Sequence, residues 1–149
     1  PPRFEIHSPD PPATGGATGT TLWIGPAWKM LLSNKALLAV LWELSPGPPT
    51  LLPAYLDGPR ELASTTGYVA KPLLGREGAG VTIHEPGTEP VPREEACCYQ
   101  ELAPLPDFDG NRVVLGAWVV EDESAGLGIR ESSGLITDEF ARFLPHVIL

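Results

Sequence analysis

Lysine is scarce in this chain. Only Lys29, Lys35 and Lys71 occur among 149 residues, 19 Asp and Glu outnumber 10 Lys and Arg, and the formal net charge is -9. A phosphate-backbone partner such as DNA or RNA calls for clustered Lys and Arg, so no nucleic-acid partner is expected and an anionic ligand must be captured locally. Cysteine is scarcer still: Cys97 and Cys98 are adjacent, a bridge between neighbours closes a strained ring, and two are too few for a secreted disulfide framework. Free thiols are expected. The three histidines, His7, His84 and His146, are scattered without metal-ligand spacing, which predicts no zinc site. No apolar run approaches the roughly 18 residues of a membrane span, and no basic-plus-apolar leader stands at the start; no membrane partner and a cytoplasmic location are the expectations. Neither G-x-x-x-x-G-K-[ST] nor G-x-G-x-x-G occurs, so the two best-known phosphate-binding fingerprints are absent.

Glycine and proline are plentiful, 16 and 18 of 149 residues, which predicts a loop-rich domain. Residues 1–20, PPRFEIHSPDPPATGGATGT, have no periodicity and read as a linker or disordered lead-in, with the folded domain at 21–149. The chain starts without methionine, and a fragment of a longer protein is the expectation. At its centre, YVAKPLLGREGAGVTI (Tyr68 to Ile83) reads as strand, glycine loop, strand. Gly75, Gly78 and Gly80 allow backbone angles closed to other residues, so the loop can turn N–H groups inward towards a phosphate, with Lys71 and Arg76 supplying positive charge. Composition alone equally allows a glycine hairpin on a sheet edge, with Lys71 snorkelling to solvent.

Around this centre, SNKALLAVLWEL predicts an amphipathic helix with Ser33 as N-cap and Leu37, Val40, Leu41 and Leu44 on one face. Lys35 falls in its first turn, where the helix dipole disfavours a cation by about 0.3–1 kcal/mol; it either meets an anion or points into water. Residues 60–63 suggest a short helical turn, and HEPGTEPVPREEA after Ile83 reads as an exposed, mobile connection. CCYQELAPL (Cys97 to Leu105) is a strand ended by proline, Asp107 to Asn111 a turn, and Arg112 to Glu121 with Leu127 to Arg130 an antiparallel hairpin joined by an acidic turn. Arg130 closes a β-run at its rim.

KPLLGREGAGVTI resembles the KP-x-x-GREG-x-x-(V/I) segment of the glutathionylspermidine synthase-like family, whose synthetase domain is an ATP-grasp ligase. The segments NKALL, PGPPTLLPAY, YQELAPLP, FDGNRVVLGAWV, GLGIR and RFLPHVI are similar to further family segments in the same order, so the resemblance covers about Thr21 to Leu149. Gly25 and Gly80 stand where the family usually has Glu and Asn. The resemblance implies the C-terminal portion of the synthetase domain, an α+β ATP-grasp-like subdomain of mainly antiparallel sheet with few helices. It implies ATP and Mg2+ as cofactors, with the metal ligands on a preceding segment that this chain lacks. It further implies that a peptide carboxylate is activated as an acyl phosphate and attacked by an amine.

By the same resemblance, Lys35 and Lys71 contact the phosphates, and the loop carrying Gly75, Glu77 and Gly78 closes over them. Gln100, Glu101, Leu102 and Ala103 form the hinge that seats adenine, and Leu135, Ile136 and Thr137 line the nucleotide pocket. Arg76 and Arg130 are the implied catalytic residues, steadying charge during transfer. A hinge strand leaving its sheet at a proline fits this physically, because it exposes an N–H and a C=O to an adenine edge; an ordinary proline-ended edge strand is the alternative. A non-catalytic nucleotide-binding module that needs a missing N-terminal half is the alternative to a ligase, and that half or a second copy would cover exposed apolar surface.

Overall fold

The computed structural model describes residues 27–147, together with the short strands at 5–6 and 23–24. Its architecture is α+β: antiparallel sheets with one α-helix among the described residues. Strands β1 (Glu5–Ile6) and β2 (Trp23–Ile24) pair with each other. The remainder of the 1–20 lead-in, the Gly25-Pro26 break and the last two residues lie outside the described residues.

The first sheet holds β3 (Ala54–Tyr55), β4 (Tyr68–Pro72), β5 (Thr82–His84) and β6 (Cys97–Glu101) in the order β3-β6-β4-β5. Its register decides what each face carries. Ile83, Val69, Gln100 and Ala54 lie side by side in one row, and Lys71 lies beside Cys98 in the next row of the same face. On the other face Tyr68 and Ala70 pack with Leu62, joined by Tyr55, Ala63 and Tyr99. Leu62 comes from a 3-10 turn at Arg60–Ala63, as the sequence suggests.

Helix α1 (Ala36–Leu44) covers the β3–β6 end of the first face, where Ala39, Ala54 and Cys98 form a buried cluster with Leu38 and Leu73. The predicted helix is therefore present, but two details of it need correction. A 3-10 segment, Ala27–Ser33, runs up to the helix and takes Ser33 into its last turn, so the capping oxygen is Asn34 Oδ1, which accepts the Ala36 N–H at 2.9 Å. The buried contact is made by Ala39, whereas Val40, Leu41 and Leu44 are exposed. The sequence ALLAVLWEL is apolar nearly all round, and small Ala39 is what lets the helix approach the sheet closely.

The second sheet has the order β10-β9-β8-β7, from β7 (Asp107–Phe108), β8 (Asn111–Val120), β9 (Glu123–Ser132) and β10 (Arg142–Leu144). The β8–β9 hairpin is longer than predicted. Glu121 and Asp122 both take positive φ, 51° and 67°, giving the two-residue turn that matches strand twist, so pairing resumes at once with Val120 opposite Glu123. Asp109-Gly110 makes the other tight turn, with Asp107 Oδ1 accepting the Gly110 N–H at 2.7 Å. Among the described residues no helix is long and apolar enough to cross a membrane.

Candidate functional site

Helix α1 leaves the β4–β5 end of the first face with half-buried Val69, Lys71 and Ile83, and the glycine loop springs from there. Lys71 donates a hydrogen bond to Gln100 Oε1 at 2.6 Å, and Gln100 is itself buried. No Asp or Glu lies within ion-pair distance of Lys71 or Lys35 among the described residues. Burial holds the Lys71 ammonium below the ordinary lysine range; Cys98 opposes that shift and the Lys35 charge adds to it. Cys98 shows the mirror effect, since burial pushes its thiol up while the Lys71 charge draws it back. Both cysteines are free and buried.

Lys35 reaches the same end of the sheet from the helix. It is the N-cap residue of α1, its N–H donates to Leu73 O at 2.9 Å, and its Nζ donates to Gly75 O at 2.8 Å. Two cations thus flank the start of the loop. Within the loop, Glu77 takes φ 55° and Gly78 φ 75°. A Cβ on Gly78 would lie 2.5 Å from Ile136 Cγ2 and 3.3 Å from Thr137 O, so only glycine lets the loop rest on the segment that follows β9. The loop of the first sheet and the Leu135–Thr137 stretch of the second are brought together there. Arg76 stands apart: its side chain is 90% exposed, with Glu77 at 4.0 Å as its ion partner.

Beyond β6, Leu102 and Ala103 border a cavity of about 270 Å3, with Ile83, Glu85, Arg112 and Leu135 also in its walls. That volume is near the lower end of small-molecule sites, roughly 300–1,000 Å3. The expected free hinge groups are partly spent: Glu101 N–H donates to Pro53 O at 2.9 Å and Leu102 N–H to Gly67 O at 3.1 Å. The Ala103 N–H makes no hydrogen bond among the described residues. Gln100, on the same hinge, is occupied by Lys71. Arg130 lies on the second sheet, on the face it shares with Val114 and Phe143, its guanidinium 5.9 Å from the Phe143 ring centre.

Sequence reasoning passed over two residues at this site. Cys98 neighbours Lys71 through strand register alone, which no local pattern shows. Arg93 falls in the connection expected to be exposed and mobile, yet its side chain is only 17% exposed and it bonds to Gly80 O at 3.0 Å and Thr82 Oγ1 at 3.1 Å. The available signal was its position as the one basic residue of an acidic stretch.

Comparison with known proteins shows the family. The family model described as glutathionylspermidine synthase preATP-grasp matches residues 12–149. A Haemophilus influenzae protein that carries the name of an acid–amine ligase is 43% identical over 143 residues, covering 87% of this chain and 36% of its own length. The trypanothione synthetase of Crithidia fasciculata is 37% identical over 123 residues, 78% of this chain and 19% of that protein. The bifunctional glutathionylspermidine synthetase/amidase of Escherichia coli is 28% identical over 130 residues, 83% of this chain and 21% of that protein. The chain spans about a third or less of the length of these relatives, and it belongs to the glutathionylspermidine synthase preATP-grasp family.

Proposed function

We propose that this chain is the ATP-binding C-terminal part of an ATP-dependent carboxylate–amine ligase. One observation carries the reading: Lys71 is a half-buried cation beside a second cation, hydrogen-bonded to a neutral amide and, among the described residues, without a carboxylate partner. Buried charges are normally paired. An anion arriving between Lys71 and Lys35 supplies that pairing.

The residues present fit a nucleotide. Lys35 and Lys71 hold phosphate oxygens, and the loop of Gly75, Glu77 and Gly78 brings backbone close to them. The cavity beside Leu102 and Ala103 receives a planar ring, with the Ala103 N–H as donor to its edge and Leu135 against it. Gln100 and Glu101 position that hinge, Gln100 by fixing the Lys71 ammonium. Ile136 and Thr137 close the pocket under the loop. Arg130, and Arg76 once the loop turns inward, place guanidinium charge where negative charge accumulates. ATP, when bound with Mg2+, supplies the phosphoryl group that makes a peptide carboxylate susceptible to an amine, as an acyl phosphate. Among the described residues no group of three His, Cys, Asp or Glu could hold a metal ion, and in this proposal the Mg2+ ligands come from a segment outside the chain.

Calorimetric titration of ATP with Mg2+ into this chain, beside Lys71→Ala, tests the reading. Saturable binding that disappears in the variant is the expected result. A folded chain that binds no ATP, or binds it equally in both forms, overturns it.

A further inference from the structure

We infer that Arg93 is a positioning residue for the phosphate cradle, clamping the exit of the glycine loop; this rests on the nucleotide-binding reading above. The entry of the loop is fixed by Lys35 and by the Leu73 N–H bond to Ala96 O at 3.2 Å. The exit lacks such support, because β5 begins only at Thr82 and Gly80 stands in the left-handed region at φ 68°. Arg93 fills the gap. Its Nη2 donates to Gly80 O at 3.0 Å and to Glu95 Oε1 at 2.7 Å, while Nη1 donates to Thr82 Oγ1 at 3.1 Å.

This clamp is anchored in the core. Thr82 Oγ1 also hydrogen-bonds His84 Nε2 at 2.9 Å, and the His84 ring stacks on buried Tyr68 with ring centres 4.4 Å apart. A planar guanidinium serves three acceptors at once, which an ammonium on a flexible stem does not reproduce. The peptide at Gly80 is two residues from Gly78, the point at which the loop rests on Ile136. Release of Gly80 therefore loosens the cradle, whereas Leu102, Ala103 and Leu135 in the cavity wall make no hydrogen bond with the Arg93 clamp.

The test uses the 149-residue chain and the variants Arg93→Gln and Arg93→Lys. Loop freedom is read from tryptic cleavage of the Arg76–Glu77 bond, followed by mass spectrometry; phosphate positioning is read from calorimetric affinities for ATP and for adenosine. Loss of charge-assisted bonds of this kind corresponds to about a tenfold change or more. Cleavage at Arg76 about tenfold faster in Arg93→Gln, little recovery in Arg93→Lys, and ATP affinity about tenfold weaker with adenosine affinity unchanged are expected. Unchanged Arg76 cleavage overturns the clamp, as does cleavage that rises equally at Arg60 and Arg142. Parallel loss of ATP and adenosine affinity overturns the positioning role in favour of a structural one. Faster Arg76 cleavage in a chain whose parent binds no ATP leaves the clamp standing and sinks the nucleotide reading instead. If Arg93→Gln does not fold, Thr82→Val removes the Nη1 acceptor and carries the same readouts, with His84→Phe as the control for the His84 bond that Thr82 also makes.

Discussion

Replacing Lys71 with Met should make the protein more stable and weaken the proposed nucleotide binding. The ammonium is half-buried, no carboxylate pairs with it among the described residues, and its hydrogen bond goes to neutral Gln100 Oε1 at 2.6 Å. Burying an ion costs several kcal/mol even after relaxation. Met keeps the length of the side chain and removes the charge, but it leaves the buried Gln100 oxygen without a donor, at about 1–3 kcal/mol. The two effects oppose, and relief of the ion prevails by about 1 kcal/mol. Adding Gln100→Leu removes the orphaned oxygen too and should raise the gain to about 2 kcal/mol. Urea denaturation of the three chains at neutral pH, with the slope unchanged, measures both steps. Nucleotide affinity should meanwhile fall about ten- to a hundredfold, the worth of a charge-assisted bond to phosphate. A Lys71→Met chain destabilised by about 3 kcal/mol, the cost of breaking a buried ion pair, would refute the claim that Lys71 stands unpaired.

The same lysine gives stability a pH signature. Burial lowers its folded-state pKa below the unfolded value, so between the two the unfolded chain binds more protons and stability rises with pH. The penalty is complete below the folded pKa and fades as pH climbs through it towards about 10.4; urea midpoints from pH 7 upward should show this rise in the parent and lose it in Lys71→Met. Gly78→Ala should cost about 2–4 kcal/mol, from left-handed backbone at φ 75° and a Cβ 2.5 Å from Ile136 Cγ2. Ile136→Ala in the same chain should recover part of that loss in a double-mutant cycle, and an unchanged melting temperature for Gly78→Ala would mean that loop and second sheet do not touch. On α1, Ala39→Leu should destabilise by about 1–3 kcal/mol by overpacking against Ala54 and Cys98, and Leu44→Glu by no more than about 0.5 kcal/mol. The opposite order in thermal melts would turn the helix over.

The readable parts of this protein were those where local chemistry dictates structure. Alternating burial along Tyr68–Pro72, the glycines after it and the Asp-Gly turn at 109–110 each specify their conformation within a few residues. The buried side of α1 was not readable, because ALLAVLWEL offers apolar residues in every direction and the sheet chose the smallest contact at Ala39. The cap was misplaced by two residues, at Ser33 where Lys35 is the N-cap, for a related reason: the preceding 3-10 segment, favoured by no strong signal, ran through Ser33 and left Asn34 to bond Ala36. Of the candidate site, the lysines and loop glycines were singled out by the family resemblance of NKALL and KPLLGREG, since local pattern alone left both lysines open to a solvent-facing reading. The neighbours Cys98 and Arg93 were not, since only the pairing of β4 with β6 and the return of the 85–96 connection bring them in.

Several departures from local preference fall at one end of the first sheet. Lys71 is a half-buried cation without a carboxylate among the described residues, Lys35 places a cation at the positive end of α1, and Glu77 takes φ 55° without being glycine. Beyond the bond from Lys35 to Gly75 O, folding alone gains little from them, and each is avoidable by an ordinary substitution. In the proposed reading the two lysines share one remedy: an anion held between the helix N-terminus and the Lys71 ammonium would turn both charges from unfavourable to favourable. The left-handed turn at 77–78 also lets the backbone rest against Ile136. Local preferences that conflict with the fold and would be relieved by one anion are the pattern that the proposed site predicts, and a site that had lost its ligand would be expected to lose them too.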